Sequence, residues 1–579
     1  MIAAAVVLAA VGVASGDDAA PAFPPPAAFA GPDQDATQDL IILGETRPIF
    51  LRLRVLVGDR PWRSAWAEAA RVAHGHLDAN GDGKLTLDEA EANGLGLLVG
   101  PAAAGNPTGR GRGEIDKDPK DGTISVDELR EALGGPNGAF RLGAAEATGR
   151  RTDALFDHLD RDKDGAIARA ELAASVGSLR QLDSDADEWI DGDEVAAANG
   201  TGAAAATGMG RPAPRDAGMP AVLSLGADES PLRVVRALLK KYDTGSSRGP
   251  GRPDSKLSAA EFAIPPASFA RADLNADGLL NGEELRKALA NHPADAVADV
   301  VLPVETTGRA AIRVRASEGG PPDGLAVRQL GDGQVEVEVG PTRVDIQLDT
   351  GLRALAGARQ TLLARFNAAD TSRDGYLSAA ETADENGQPG PLAGLFGPLD
   401  RDHDGKLTLA EINEAVDRQV SSTRARLTMN AQDEGRSVFG LLDRDGNRRL
   451  GAREVLAAHA RRGDSDRNQD GRVPPDEIQQ QIHLTLGQGD LTHLLVVPGP
   501  NPVVVGSTTN LTVAAPEPTA GPPWFRKMDR NRDGDISRRE FLGTHAQFDR
   551  LDRDRDGLLA PAEADAATAA ATPVRGPGG

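Results

Sequence analysis

Acidic and amide side chains recur along the chain at a fixed spacing that suits a hard divalent cation. In the first group, Asp78, Asn80, Asp82 and Glu89 hold the first, third, fifth and twelfth positions of a twelve-residue segment, with Gly83 at the sixth. Calcium takes about six to eight oxygen ligands, which alternate residues of one tight turn can supply while the distant glutamate closes the shell with two oxygens. The spacing therefore predicts a calcium-binding loop.

Seven further segments keep every one of these positions, so that eight loops are intact. One such match could arise by chance in an acidic chain, but eight in series could not. The candidate ligands of the eight loops are Asp78, Asn80, Asp82 and Glu89; Asp160, Asp162, Asp164 and Glu171; Asp273, Asn275, Asp277 and Glu284; Asp370, Ser372, Asp374 and Glu381; Asp400, Asp402, Asp404 and Glu411; Asp466, Asn468, Asp470 and Glu477; Asp529, Asn531, Asp533 and Glu540; and Asp552, Asp554, Asp556 and Glu563.

Four other segments carry the pattern in altered form. Two of them replace the sixth-position glycine, with Glu188 and Arg448, and are expected to bind more weakly because a left-handed backbone costs such residues about 1 to 2 kcal/mol. Another has one extra residue near Pro119. The candidate ligands of these three loops are Asp183, Asp185, Asp187 and Glu194; Asp443, Asp445, Asn447 and Glu454; and Asp116, Asp118, Asp121 and Glu128. The last segment keeps Asp243, Asp254 and Glu261 around a long insertion and is not expected to bind.

Residues outside the ligand positions repeat as well. The eighth position of all twelve loops is aliphatic, and in seven loops a phenylalanine stands four residues before the first ligand. The spacing of the phenylalanine places it on the buried face of a helix that enters the loop. The eighth positions are Leu85, Ile124, Ile167, Ile190, Leu257, Leu280, Leu377, Leu407, Leu450, Val473, Ile536 and Leu559, and the phenylalanines are Phe156, Phe269, Phe366, Phe396, Phe439, Phe525 and Phe548.

With these features the chain resembles the EF-hand superfamily over most of residues 62–570. The resemblance implies helix-loop-helix units that work in pairs, calcium as the ion, and a short strand at the eighth position that bridges the two loops of a pair. Pairing successive hands gives six pairs. The expected fold class is mainly α, with six EF-hand pairs and small antiparallel β inserts. A dockerin-like docking module is the competing family, although its twelfth ligand is Asp where this chain has Glu.

The expected domain layout follows from these pairs and from changes in composition. Strict alternation of apolar and polar residues predicts two strands at 335–348, and similar signals occur near 40–57 and 494–513. Each β segment is expected to space neighbouring hands, with a ligand-binding β domain as the alternative. The layout is a signal peptide at 1–15, a Pro/Ala-rich linker at 16–39, a β segment at 40–61, pairs at 62–134 and 150–200, a flexible linker at 201–231, a pair at 232–291, a β insert at 296–350, pairs at 355–420 and 430–485, a β segment at 490–515, and a pair at 522–570.

The amino terminus indicates export. Residues 2–14 form an apolar run that ends in small residues, as a signal peptidase requires. The run is shorter than the roughly 20 residues of a membrane span, and no basic residue precedes it. A start codon placed too late, or a segment without function, is the alternative. We therefore expect a periplasmic, cell-surface or secreted protein.

Composition narrows the class of function. The net charge of -23 argues against nucleic acid as the partner and for cations. The chain has no cysteine, which excludes thiolate metal sites and cysteine nucleophiles, and it shows no zinc-binding histidine pair, nucleophile elbow or phosphate loop. We predict a non-catalytic calcium buffer or calcium-stiffened scaffold, with an unidentified protein or cell-surface partner left open. An enzyme or adhesin whose β inserts carry the activity is the alternative.

Overall fold

The computed structural model describes most of residues 35–92, 115–144, 154–171, 182–195, 220–244, 253–304, 308–349, 363–381, 400–417, 426–454, 468–488 and 521–571, together with 496–497 and 503–504. The apolar run at 2–14, with the proposed signal peptide, lies outside the described residues. Most residues of the expected linkers at 16–39 and 201–231 also lie outside the described residues. Among the described helices, none combines the length and the apolar character needed to cross a membrane.

The strands are β1 Thr37–Leu43, β2 Pro48–Val57, β3 Arg60–Pro61, β4 Leu85–Thr86, β5 Thr123–Ile124, β6 Phe140–Ala144, β7 Ile167–Ala168, β8 Ile190–Asp191, β9 Val222–Leu225, β10 Leu257–Ser258, β11 Leu279–Leu280, β12 Ala296–Leu302, β13 Ala311–Ala316, β14 Leu325–Gly331, β15 Gln334–Val339, β16 Thr342–Asp349, β17 Tyr376–Ser378, β18 Lys406–Thr408, β19 Leu427–Arg436, β20 Arg449–Leu450, β21 Arg472–Val473, β22 Gln480–Gln488, β23 Val496–Val497, β24 Val503–Val504, β25 Ile536–Ser537 and β26 Leu558–Leu559. The helices are α1 Trp62–Leu77, α2 Leu87–Ala92, α3 Val126–Gly134, α4 Ala154–Leu159, α5 Pro231–Tyr242, α6 Ala259–Phe262, α7 Pro266–Ala272, α8 Gly282–Ala290, α9 Val438–Leu442, α10 Pro523–Met528, α11 His545–Leu551 and α12 Pro561–Ala571.

Two six-stranded sheets form the centre of the molecule. The first has the order β13-β12-β2-β1-β9, with β3 paired to β2, and the second has the order β14-β15-β16-β22-β19-β6. Alternate residues of both sheets share one apolar core, which includes Leu53 and Val300 of the first sheet and Ile346, Met429 and Leu484 of the second. The sheets therefore pack face to face as a sandwich, because each buries its apolar face against the other.

The hands are insertions between strands of this sandwich. One group of hands lies between β3 and β6, a second between β6 and β9, and a third between β9 and β12. A fourth group lies between β16 and β19, and a fifth between β19 and β22. Three pairings that span such insertions are parallel: β2 with β12, β6 with β19, and β16 with β22. A parallel pair cannot be closed by a tight hairpin turn, so a long connection is required there. The helix-loop-helix units supply those connections.

The expectation of a mainly α fold is wrong. Strands contribute nearly as much of the chain as helices do, and the central unit is built of β-sheet. The expectation fails because the β segments near 40–57 and 296–350 do not stand apart as small inserts. They join one two-sheet core, since each strand has one apolar face that a two- or three-stranded piece could not bury alone.

Strands also lie where the sequence reasoning placed linkers or hands. Strand β9 lies within the expected linker at 201–231, and β22 begins within the expected pair at 430–485. Apolar residues alternate at Ile482, Leu484 and Leu486, which is a pattern that predicts a strand at β22. All three side chains are fully buried. The segment 490–515 contributes only the short pair β23–β24 in the described residues, separate from the sandwich.

Shared side chains fix the first and third groups of hands to the sandwich. Helix α1 places Trp62 in the core between the sheets and Trp66 in the core of the first hands. The outer face of the first sheet presents Ile41, Leu43 and Phe50 to the hands at 231–290, where Phe50 meets Phe262 edge to face at 6.1 Å. The hands are therefore packed on the sandwich through apolar contacts.

Candidate metal sites

Each described entering helix ends one residue before the first candidate ligand of its loop. The backbone N–H of Asp160, Asp529 and Asp552 donates to the carbonyl of the phenylalanine four residues earlier, at 2.8, 3.0 and 2.9 Å. Phe525 and Phe548 are buried within their pair, together with Ile536 and Leu559. The repeated phenylalanine therefore anchors the helix whose last turn delivers the first carboxylate.

Backbone hydrogen bonds hold the carboxylates of each loop in one arrangement. In the loop 160–171, the sixth residue, Gly165, donates its N–H to Asp160 at 3.0 Å, and the seventh, Ala166, donates to Asp164 at 3.0 Å. Glu171 accepts from the N–H of Arg161 at 2.7 Å and of Ala168 at 2.8 Å, so it joins the two ends of the loop. The loop 529–540 repeats the pattern.

The sixth residue has a left-handed backbone in every loop where it is described. Glycine fills it in most loops, for example Gly83 at φ 79° and Gly534 at φ 85°. Glu188 takes the same conformation at φ 67° and donates its N–H to Asp183 at 3.1 Å. The loop 183–194 thus keeps its geometry at the conformational cost that the sequence predicts for a non-glycine residue.

The eighth residues form antiparallel bridges between loops, and four of the six bridges join successive hands. Leu85 pairs with Ile124, Leu257 with Leu280, Leu377 with Leu407, and Ile536 with Leu559. The other two bridges are crossed. Ile167 pairs with Val473 and Ile190 with Leu450, which differs from the predicted pairing of the loop at 160 with that at 183 and of the loop at 443 with that at 466.

The crossed hands form one unit with a common core. Leu155, Leu182, Leu442 and Ile478 lie in the same buried cluster with the four bridging residues. We call the hands with loops 160–171, 183–194, 443–454 and 466–477 the four-hand unit. Its two halves meet because β6 and β19, which precede them, are parallel neighbours in the second sheet. The sandwich therefore decides which hands pair.

Orphaned carboxylate oxygens show that the loops fit a cation. Asp529 and Asp552 are each only 4% exposed, yet the Oδ1 atom of each has no hydrogen-bond partner, and neither has Oε2 of Glu477. A buried, unpaired carboxylate oxygen costs several kcal/mol unless a cation or donor meets it. Ligand oxygens of Asp160, Asp162 and Asp164 lie within 4.8 Å of one another, as do those of Asp552, Asp554 and Glu563. Such all-oxygen sets suit calcium.

Six of the candidate ligands lie outside the described residues: Asp118, Asp185, Asp402, Asp445, Asn447 and Asp466. The loop that was not expected to bind keeps much of the loop geometry. Ser255 takes the left-handed sixth position at φ 65° and donates to Asp243 at 2.7 Å, while Glu261 accepts from Thr244 at 2.9 Å and Ser258 at 2.8 Å. Its insertion falls between the first and fifth ligand positions.

Three basic residues that the sequence reasoning did not single out lie across the bridges. Each occupies the seventh position of one loop and meets the fifth-position aspartate of the paired loop. Lys256 contacts Asp277 at 2.6 Å, Arg449 approaches Asp187 to 3.9 Å, and Arg472 pairs with Asp164. The sequence does show a basic residue directly before the bridging residue of each of these loops. Which aspartate it contacts, however, depends on which loops pair. These cations compete with calcium for a ligand.

Replacing Lys256 by methionine is expected to strengthen metal binding by the loop 273–284. The substitution frees Asp277, whose pKa is held below its ordinary value mainly by the hydrogen bond from Lys256. Because both groups are about one-third exposed, the gain should be about two- to fivefold in affinity. The increase in terbium luminescence that a Leu279→Trp reporter adds, in a Trp189→Phe background, reports on this loop. Lys240→Met, an exposed lysine on α5, is the matched control, and an equal gain there would contradict the competition.

Calcium binding by the loop 529–540 should be accompanied by release of a proton from Asp533. Burial raises the pKa of Asp533 from 3.8 to about 7, so near pH 6.5 calcium has to displace a proton from this carboxyl. Calcium addition to unbuffered protein should release about one proton more from the wild type than from Asp533→Asn. Asp277→Asn, at the same position of a loop whose aspartate has a lowered pKa, should leave the release unchanged. Equal release by all three proteins would contradict the prediction.

The raised pKa has a defined effect on stability without calcium. A carboxyl that is protonated more readily in the folded state stabilises that state below the unfolded pKa near 3.8, and this contribution is lost as the pH rises through about 7. The calcium-free pair at the C-terminus is thus least stable in neutral and alkaline solution. Calcium offsets the loss because it binds the ionised form.

Comparisons with known families agree with the loop geometry. The sequence model described as EF hand matches residues 267–290, 363–383 and 523–542, and the model described as EF-hand domain pair matches residues 120–176. These segments support membership of the EF-hand superfamily and imply calcium binding. Neither the search of curated proteins nor the search of solved structures found a significant match.

Proposed function

We propose that the protein is a calcium-stiffened scaffold that takes up about eight to eleven calcium ions without catalysing a reaction. The observation that carries the proposal is the insertion of the hands between strands of one sandwich, together with the crossed bridges between residues 167 and 473 and between 190 and 450. Each crossed bridge closes a long stretch of chain. Calcium in those loops would stabilise the closure, because the ion binds the folded loop and not the unfolded one.

Electrostatics supports the same function. Eight bound calcium ions would bring the net charge of -23 to -7. Without ions, three or more carboxylates crowd into each loop, and their mutual repulsion opposes a compact chain. Each site filled at 100 times its dissociation constant would add about 2.7 kcal/mol to the stability of the folded hand.

The interior of the sandwich favours a scaffold over a ligand-binding β domain. The space between the sheets is occupied by apolar side chains such as Leu51, Val337, Ile482 and Leu486, all nearly or fully buried. A sensor would need an adaptable groove, which is typically rich in methionine, and the whole chain has five methionines. A stiffened scaffold, which also buffers calcium, agrees best with these features.

Export is the compartment that we propose, on the basis of the apolar run at 2–14. Outside the cytoplasm calcium is abundant, and hands that work there bind with dissociation constants of about 0.1 to 1 mM. The wild-type protein should therefore bind eight or more ions in this range, and magnesium should compete poorly because it requires a tight octahedral shell. Equilibrium dialysis that found fewer than six sites would contradict the proposal.

The stiffening itself is tested by small-angle scattering and thermal melting in EDTA and in millimolar calcium. We expect the radius of gyration to decrease and the melting temperature of the hands to rise when calcium is added. Magnesium at the same ionic strength controls for screening of the net charge. A radius and a melting temperature that did not change, in a protein shown to bind calcium, would leave a passive buffer in place of the scaffold.

A further inference from the structure

The C-terminal pair, with loops 529–540 and 552–563, contacts the four-hand unit loop against loop. The indole Nε1 of Trp189, the seventh residue of loop 183–194, donates a hydrogen bond to the carbonyl of Asn531 at 3.1 Å. Arg453, the eleventh residue of loop 443–454, donates to Asp535 at 2.6 Å and lies 3.8 Å from Asp556. Each of the two bridged loops of the unit therefore supplies one contact.

Both sides of this contact contribute buried residues, although the side chain of Arg453 itself is 43% exposed. Trp189 is 5% exposed and lies against Gly451, where an added Cβ would come within 3.4 Å of the ring. Asp535 is 4% exposed, and the ligands Asp529 and Glu540 of the same loop are 4% and 5% exposed. The contact thus brings a loop full of carboxylates into a poorly hydrated environment.

The charges at the contact do not balance without a cation. Loop 529–540 carries the ligand carboxylates Asp529, Asp533 and Glu540 in addition to Asp535. Arg453 meets Asp535 and approaches Asp556, but it brings a single positive charge, and the arginines of the loop itself, at 530, 532, 538 and 539, are exposed. Oδ1 of Asp529 stays without a hydrogen-bond partner. Burying several carboxylates beside one guanidinium is unfavourable, because loss of hydration exceeds what one ion pair returns.

We propose that the C-terminal pair docks on the four-hand unit in a calcium-dependent manner, with Trp189 and Arg453 as the contact residues. This inference rests on calcium binding by loop 529–540, which is part of the proposed function. Calcium in the loop neutralises the buried ligands and fills the unpaired position at Asp529, so docking becomes favourable. The side chain of Asp535 stays free for Arg453, since the seventh residue of such a loop supplies its carbonyl to the ion.

Calcium binding by loop 529–540 and docking of the C-terminal pair are reciprocally linked equilibria. If calcium favours docking, docking must strengthen calcium binding by the same factor. Trp189 contributes by holding the carbonyl of Asn531 in place, which fixes the backbone of a candidate ligand before the ion arrives. Calcium would then join the C-terminal pair to a unit whose two contact residues lie 342 and 82 residues earlier in the chain, and chelation would release the pair.

Distance measurements between two spin labels test the docking in the full-length protein. The chain has no cysteine, so Asp157→Cys on α4 and Arg550→Cys on α11, both exposed, can be labelled selectively. We expect one narrow distance distribution in millimolar calcium and a broad one in EDTA. Arg453→Gln and Trp189→Phe should broaden the distribution in calcium. Arg538→Gln, which breaks the exposed contact with Asp549 inside the C-terminal pair, should leave it narrow.

A calcium count separates failure of the inference from failure of the proposed function. Equilibrium dialysis of the labelled protein should show that it binds calcium, and Glu540→Gln should lower the count by one and broaden the distances. Calcium binding with the same distances in EDTA and in calcium would overturn the inference alone. Absence of calcium binding would overturn both. If Arg453→Gln disturbed the fold, seen as a lower melting temperature of the sandwich, the Trp189→Phe result would decide.

Discussion

Replacing Trp62 by alanine is expected to lower the free energy of unfolding by about 3 to 5 kcal/mol, the usual range for a large aromatic residue removed from a core. Trp62 is fully buried at the start of α1 and packs with Phe140 of β6 at 6.4 Å between ring centres. The substitution would leave a cavity where the first hands join the sandwich. The loss should appear in thermal melts followed by circular dichroism in excess calcium.

Two further variants of helix α1 test whether the loss of stability in Trp62→Ala comes from the core of the sandwich. Val72→Ala removes an apolar side chain from the same helix at a position that is 47% exposed, so its effect should stay within about 0.5 kcal/mol. Trp62→Phe keeps most of the ring volume and removes an indole N–H that has no hydrogen-bond partner, so it should cost much less than Trp62→Ala. Equal effects of Trp62→Ala and Val72→Ala would show that the sandwich core does not include α1.

Glu454→Gln removes the last candidate ligand of loop 443–454. It should also weaken terbium binding by loop 183–194 about tenfold, although these two loops are far apart in the sequence. Their bridge at Ile190 and Leu450 couples them, and coupling between sites is typically worth about 1 to 3 kcal/mol. Trp189 lies inside loop 183–194 and sensitises terbium bound there. Because its indole also contacts loop 529–540, the titration is made in a Glu540→Gln background that silences the second loop.

The control for this coupling is Glu171→Gln, which disables the loop next to 183–194 in the sequence. Crossed pairing predicts a change of less than about twofold, because loop 160–171 is bridged to loop 466–477. Trp189→Phe should remove the part of the signal that comes from loop 183–194 and so confirm its assignment. If Glu171→Gln had the larger effect, the successive pairing that the sequence suggests would be correct and the crossed bridges would not form in solution.

The geometry of the candidate calcium loops could be predicted from the sequence because each loop is stabilised by local interactions. The first, sixth and twelfth residues interact within twelve residues, as in the bonds from Gly278 and Asn281 to Asp273 and Glu284. The left-handed backbone at the sixth residue and the phenylalanine of the entering helix are local as well. Interactions of this range leave a fixed spacing in the sequence, and no other part of the chain is needed to interpret it.

The partners of the loops could not be predicted in the same way. A bridge requires only two aliphatic residues, and Ile167, Ile190, Leu450 and Val473 are chemically interchangeable in that role. Succession in the chain favoured Ile190 as the neighbour of Ile167, but the structure pairs Ile167 with Val473. The targets of Lys256, Arg449 and Arg472 were hidden for the same reason, since each cation reaches a ligand of whichever loop is bridged to its own.

The sequence by itself determined the positions and local geometry of the twelve-residue loops, their candidate ligands and the helices that enter them. The tertiary structure alone decided that the β segments form one sandwich, that the hands are its connections, and that the four-hand unit is assembled from two distant halves. The physical reason is range. Ligand geometry is set by bonds within a dozen residues, whereas the pairing of β6 with β19 and of β16 with β22 depends on burying apolar faces, which any alternating strand can offer to any other.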